Sequence, residues 1–164
     1  MRVVTAPESI EINGEVSVML CGGITACENW QQEVIALLSP YDGILFNPRR
    51  ENFPIHDLKA ARAQITWEFN ALKKAEVFSM WFCASKESDQ PICLYELGRH
   101  LAIRKAQNDL ECVVIGIEPG YRREQDVRIQ TELVNSFLAS RISNNLADHA
   151  QNIRQAVLTA RAKL

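Results

Sequence analysis

The sequence predicts an α/β fold, a doubly wound and mainly parallel sheet of about five strands with helices on both faces. Three observations carry this. Short β-rich apolar runs alternate with segments of helical period. Such alternation implies parallel strands joined by crossover helices. Each run also ends in glycine, proline or polar residues, as strands do where an open sheet gathers its ligands.

The elements follow in order. Val16–Leu20 reads as the first core strand and ends at Cys21-Gly22-Gly23. Asn29–Leu38 puts Trp30, Val34, Leu37 and Leu38 on one helical stripe, and Ile44–Phe46 is a short strand broken at Asn47-Pro48. Asp57 can cap a long helix whose stripe is Leu58, Ala61, Ile65, Phe69 and Leu72. Trp67 falls opposite that stripe, so the spacing predicts an exposed tryptophan and a subunit contact. Val77–Cys83 is the next strand, and Pro91 opens the next helix with Gln90 or Asp89 as cap. Cys112–Ile117 is another strand, and Leu146 to Arg161 forms the last helix. A weaker strand near Arg141–Ile142 brings the count to about five. Asn13-Gly14 marks residues 1–15 as either an antiparallel edge hairpin or a turn into the first core strand. No repeat, low-complexity segment or linker interrupts the chain, so residues 1–164 read as one domain.

Bulk composition removes several classes of function. A net charge of −2 leaves no electrostatic footprint for a nucleic acid polymer or an anionic membrane. No segment is apolar for long enough to span a bilayer, and the first residues lack the pattern of a signal peptide. The five cysteines form no CxxC pair, and several lie in apolar runs as small hydrophobes. That usage fits a reducing, cytoplasmic setting. His56, His100 and His149 stand at no ligand spacing, so no metal and no cofactor is expected.

The candidate site residues lie just past the strand ends. Gly22 and Gly23, with Ile24, allow close backbone approach to a ligand, or simply make a tight turn. In "NPRR", Asn47 can bond the backbone while Arg49 offers a fork for phosphate or carboxylate. Exposed arginines on a loop are the plainer reading. Gln64 and Glu68 are four apart on one helical flank and reach the same space. Tyr121, after the last core strand, can stack on a base or belong to a polar loop. In "PICLYELGRHLA", Glu96 sits at the margin of the stripe Cys93, Leu97 and Leu101. It is either paired with Arg99 or His100 one turn on, or placed to react.

Taken together, "VMLCGGIT", "FNPRR", "QITWEF", "PICLYELGRHLA" and "VIGIEPGYRREQDVRIQTEL" resemble the nucleoside 2-deoxyribosyltransferase-like family over about Val16 to Leu133. The resemblance implies a flavodoxin-like fold and chemistry at the N-glycosidic bond of a nucleoside or nucleotide. By it, Glu96 is the nucleophile, Glu68 supplies or positions a proton, and Gly22, Gly23 and Ile24 line the sugar and phosphate side. It also implies a homodimer or higher homo-oligomer. Two positions depart from the family. Gln90 stands where such enzymes usually carry an aspartate, and the first strand has Val18, Met19 and Leu20 where they tend to carry a tyrosine. Both bear on base recognition. The alternative within this fold is a module that binds or senses a nucleotide without turning it over.

Overall fold

A computed structural model describes residues 1–54 and 57–164. His56, weighed above as a metal ligand, lies outside them. The described residues form a five-stranded, all-parallel sheet in the order β1-β3-β2-β4-β5. The strands are β1 (Arg2–Thr5), β2 (Ser17–Gly22), β3 (Ile44–Asn47), β4 (Val77–Phe82) and β5 (Val113–Ile117). The helices are α1 (Trp30–Leu38), α2 (Leu58–Lys74), α3 (Pro91–Ala106), α4 (Glu124–Val134), α5 (Ser136–Ser140) and α6 (Leu146–Arg161). This is a doubly wound α/β fold of the flavodoxin-like kind.

Period-two alternation sorts the strand side chains between two layers. Met19, Cys21, Phe78, Met80 and Phe82 face one side, where α2, α3, α4 and α5 pack. Val18, Leu20, Val77 and Trp81 face the other, covered by α1 and α6. Both faces are buried, so the strands read as nearly continuous apolar runs. One polar knot lies inside the second layer. His149 of α6 is fully buried, with Nε2 2.9 Å from Ser79 Oγ and Nδ1 3.2 Å from Ser143 Oγ. Burial holds its pKa down at about 3, so the imidazole stays neutral and bridges the two hydroxyls. Gly116 lies against it because a side chain there would run into Trp81 and His149.

Three expectations change. The hairpin does not form: residues 2–5 pair in parallel with β3, from Arg2 opposite Ile44 to Thr5 opposite Asn47. Asn13-Gly14 instead turns the chain into β2, with Gly14 left-handed at φ 86°. The strand near Arg141–Ile142 reduces to one parallel bridge, Gly116 with Ser143, so β1 is the fifth strand. On α2 the expected stripe keeps only Leu72 buried. Trp67 and Ala71 on the other face are buried beside it, whereas Leu58, Ile65 and Phe69 are exposed. Trp67 packs edge-on against Phe46 at 6.4 Å and donates from Nε1 to Glu8 O at 2.7 Å. Phe46 of β3 thus gives the indole an apolar wall and the segment after β1 gives it an acceptor, neither of which a helical period alone reveals.

Candidate active site

Going out from the middle of the sheet, β2 is followed by β3 on one side and β4 on the other. The chain reverses direction across the sheet there, and a crevice opens beyond the strand ends. In that crevice lies a cavity of about 210 Å³. Its floor is Met19, Cys21, Gly22 and Gly23 from β2 and the turn after it. α2 contributes Glu68 and α3 contributes Cys93 and Glu96. Helix geometry explains the meeting. Asp57 caps α2 by accepting from Lys59 N at 2.8 Å, and Pro91 starts α3 at its first turn. Glu68 and Glu96 then both project from helix flanks over the end of β2.

Neither carboxylate is relaxed. Burial pushes Glu96 up to about 7, with the neighbouring Glu68 charge adding to the rise and Arg99 opposing it. Burial also raises Glu68, and a hydrogen bond from Gln64 works against that rise. Among the described residues no ion pair reaches Glu96. Arg99 instead lies over the Phe69 ring at 5.1 Å, and His100 stacks on Phe78 at 4.5 Å. The helical pairing weighed from the sequence is therefore not made. The thiols beside the carboxylates stay protonated, since burial drives Cys21 up strongly and Cys93 to about 12.

The other sequence candidates separate into those at the cavity and those that support its walls. Gly22, Gly23 and Ile24 line it. A side chain on Gly22 would meet Trp81 O and the Trp30 ring, and one on Gly23 would meet the Gln90 amide. Gln90 borders the cavity with its amide already committed: Nε2 donates to Cys83 O at 2.7 Å, and Oε1 accepts from Cys83 N at 3.2 Å. It copies a peptide group and locks the start of α3 to the end of β4, while its own backbone is left-handed at φ 54°.

Gln64 donates from Nε2 to Glu68 Oε1 at 2.9 Å and to Pro48 O at 2.7 Å. Asn47 and Arg49 do not line the cavity. Asn47 Oδ1 accepts from Arg49 N at 3.0 Å, and the guanidinium donates to Glu28 O, Cys27 O and Gln31 Oε1. Tyr121 is also away from the cavity: it is buried, stacks on Phe82 at 5.0 Å and donates to Asp89 O at 2.8 Å. Together with Glu118, which accepts from Ala84 N at 2.7 Å, it fixes the loop before α3. Met19, Ile92 and Cys93 line the cavity without having been singled out. Apolar or inside a helix, they carry no polar signal in the sequence.

A family model described as nucleoside 2-deoxyribosyltransferase like matches residues 15–116. The chain belongs to the nucleoside 2-deoxyribosyltransferase-like family. The match runs from just before β2 to within β5 and takes in both carboxylates and the whole cavity lining. At the level of this family, the chain is a nucleoside-related enzyme whose ligand is a small nucleoside-type molecule. No curated protein matches the chain. Among the described residues, no helix is long and apolar enough to cross a membrane.

Proposed function

We propose that this protein cleaves the N-glycosidic bond of a (deoxy)nucleoside or nucleotide through Glu96 as nucleophile, passing the sugar to a second base or to water. The single observation that carries this is the convergence of Glu96 and Glu68, from two helices, on one cavity at the sheet's reversal point. Burial raises both carboxylates, Glu96 to about 7, so the pair can hold one proton at neutral pH. That is the division of labour a glycosidic bond needs. As the bond to the base stretches, positive charge grows at C1′ and favours the ionised form of Glu96. The proton then resides on Glu68, which delivers it to the departing base. The bonding pair leaves with the base, and a Glu96 oxygen closes on C1′ to form an ester. In the second half, a base or water attacks C1′, Glu68 takes up its proton, and Glu96 is released. Gly22, Gly23 and Ile24 line the cavity and offer a wall for the sugar.

A cavity of about 210 Å³ is small for a whole nucleoside. Its rim carries exposed Ile92, which continues into an exposed apolar face with Tyr95 of α3 and Ile65 and Phe69 of α2. This supports a homodimer or larger homo-oligomer in which a second copy closes the site.

The test is chromatography of free base after incubation with a panel of nucleosides and 5′-monophosphates, with and without an acceptor base. The reading predicts base release by the wild type and none by Glu96→Ala. Absence of release and exchange in the wild type, with nucleotides still raising its melting temperature, would select the binding module instead.

A further inference from the structure

At the opposite end of the sheet from the crevice, α2 and α3 flank a second groove. It is a cavity of about 510 Å³ beside Ala75 and Glu76, the two residues that lead into β4. That volume suits a small organic ligand. The apolar face assigned above to a second copy reaches Phe69, and the groove runs from there to Lys74 and Gln107. One group in its wall is unaccounted for. His100 is 6% exposed and its ring stacks on Phe78 at 4.5 Å, with 9° between the planes. Among the described residues neither of its ring nitrogens has a hydrogen-bond partner. Burial, and then the charges of Arg104 and Arg99, hold its pKa down at about 4, so the ring is neutral at pH 7. A neutral imidazole carries one N–H donor and one acceptor, and burying them unused costs stability. A phenylalanine would stack on Phe78 without that cost.

The charges around this ring are of two kinds. Some complete the helix ends. Arg104 donates to Ala75 O at 2.7 Å and pairs with Asp109, Lys74 Nζ donates to Ile10 O at 3.0 Å, and Glu76 accepts from Ser17 N at 2.7 Å. Ser17 Oγ in turn donates to Lys74 O at 3.2 Å. Lys73 and Arg99 are left over. Both are exposed, and among the described residues neither forms an ion pair. Arg99 lies over the Phe69 ring at 5.1 Å, at the head of the groove. We propose that this groove binds a small organic phosphate, its phosphoryl oxygens held by Lys73, Arg99 and the His100 N–H and its apolar body lying along Phe69, Leu72 and Ile103. A phosphate dianion matches two separate cations and gives the imidazole an acceptor, whereas a carboxylate carries only one charge. The ring nitrogens lie beneath the surface. Arg99 or Ile103, both exposed, therefore changes rotamer to admit the phosphate, a fast motion for a surface side chain. The site does not rest on the reaction proposed for the carboxylates.

The experiment is an NMR titration of the full chain at neutral pH with phenyl phosphate as probe and with phenol and benzoate as controls. It reads the His100 ring protons and the backbone amides of α2 and α3. Phenyl phosphate is expected to shift the His100 ring and the amides near Lys73 and Arg99 saturably at millimolar concentration, whereas phenol and benzoate leave them in place. Lys73→Ala should weaken binding about tenfold or more, the loss of one bond to a charged group. His100→Phe keeps the stack on Phe78 and should lose as much. Because Lys73 is at the surface, Lys73→Ala remains decisive even if His100→Phe folds poorly. Glu96→Gln should bind phenyl phosphate as the wild type does, which separates this groove from the crevice. No saturable shift at His100, benzoate binding as tightly, full affinity in Lys73→Ala, or loss of binding in Glu96→Gln would overturn the proposal.

Discussion

The amide of Gln64 holds Glu68 in place by donating to its Oε1 at 2.9 Å while donating to Pro48 O at 2.7 Å. One side chain thus ties the carboxylate to the loop after β3. Gln64→Leu should keep the fold and lose this anchor. The expected effect is a roughly tenfold fall in kcat for base release with KM little changed, about what one hydrogen bond to a charged group contributes. Steady-state kinetics would check it, and an unchanged kcat would remove Gln64 from the machinery.

The two carboxylates also set a pH dependence. The working pair holds one proton, on Glu68 while Glu96 is ionised, and it gives up that proton at about 7, the value of Glu96. In the wild type, kcat/KM should therefore fall as pH rises through that region. The Glu68 charge is the second cause of the high value, after burial. Glu68→Gln should accordingly remove the alkaline limb and leave a profile that rises with ionisation of Glu96 below pH 7, while loss of the proton donor cuts the rate about a hundredfold or more. A pH–rate profile of both proteins decides. An alkaline limb that persists in Glu68→Gln would mean that Glu68 is not the proton donor.

The same burial must appear in stability. Glu96 titrates near 4.5 when unfolded and at about 7 when folded. Below 4.5 it is protonated in both states and imposes no cost. As pH rises through 7 the fold must bury a charge, so this contribution to stability is lost. Glu96→Gln never charges. Its stability relative to wild type should increase by about 2–3 kcal/mol between pH 5 and pH 8. Urea denaturation at the two pH values measures this, and a difference that does not vary with pH would contradict it.

The apolar face of α2 and α3 gives a further test. Ile65 and Tyr95 are each 66% exposed, and Arg99 over Phe69 joins the two helices. Ile65→Glu should turn an oligomer into a monomer and lower base release, with circular dichroism unchanged. Light scattering coupled to size exclusion reads the mass. A wild type already monomeric at micromolar concentration would refute the assembly.

The fold was largely legible because parallel strands buried on both faces declare themselves as apolar runs, and Gly22-Gly23, Asn47-Pro48 and Pro119-Gly120 mark where three of them stop. The short edge strand at Arg2–Thr5 was not, since its pairing with β3 depends on a partner some forty residues away. Trp67 shows the limit of periodicity. α2 carries apolar residues on two faces, and which face is buried depends on Phe46 and Glu8, not on the helix itself. At the site, sequence brought Glu68 and Glu96 to the same crevice. It could not separate side chains that face the cavity from those that brace it. Arg49, Tyr121 and Gln90 stand at strand ends like binding residues, but their polar atoms go to backbone groups.

The most direct test of the central claim is intact and peptide mass spectrometry of the protein quenched in acid during turnover with the best nucleoside from the panel. The account predicts one added sugar per chain, mapped to Glu96 in the peptide around "LYELGR" and absent from Glu96→Gln. Base release without any adduct on Glu96, or release retained by Glu96→Gln, would contradict it.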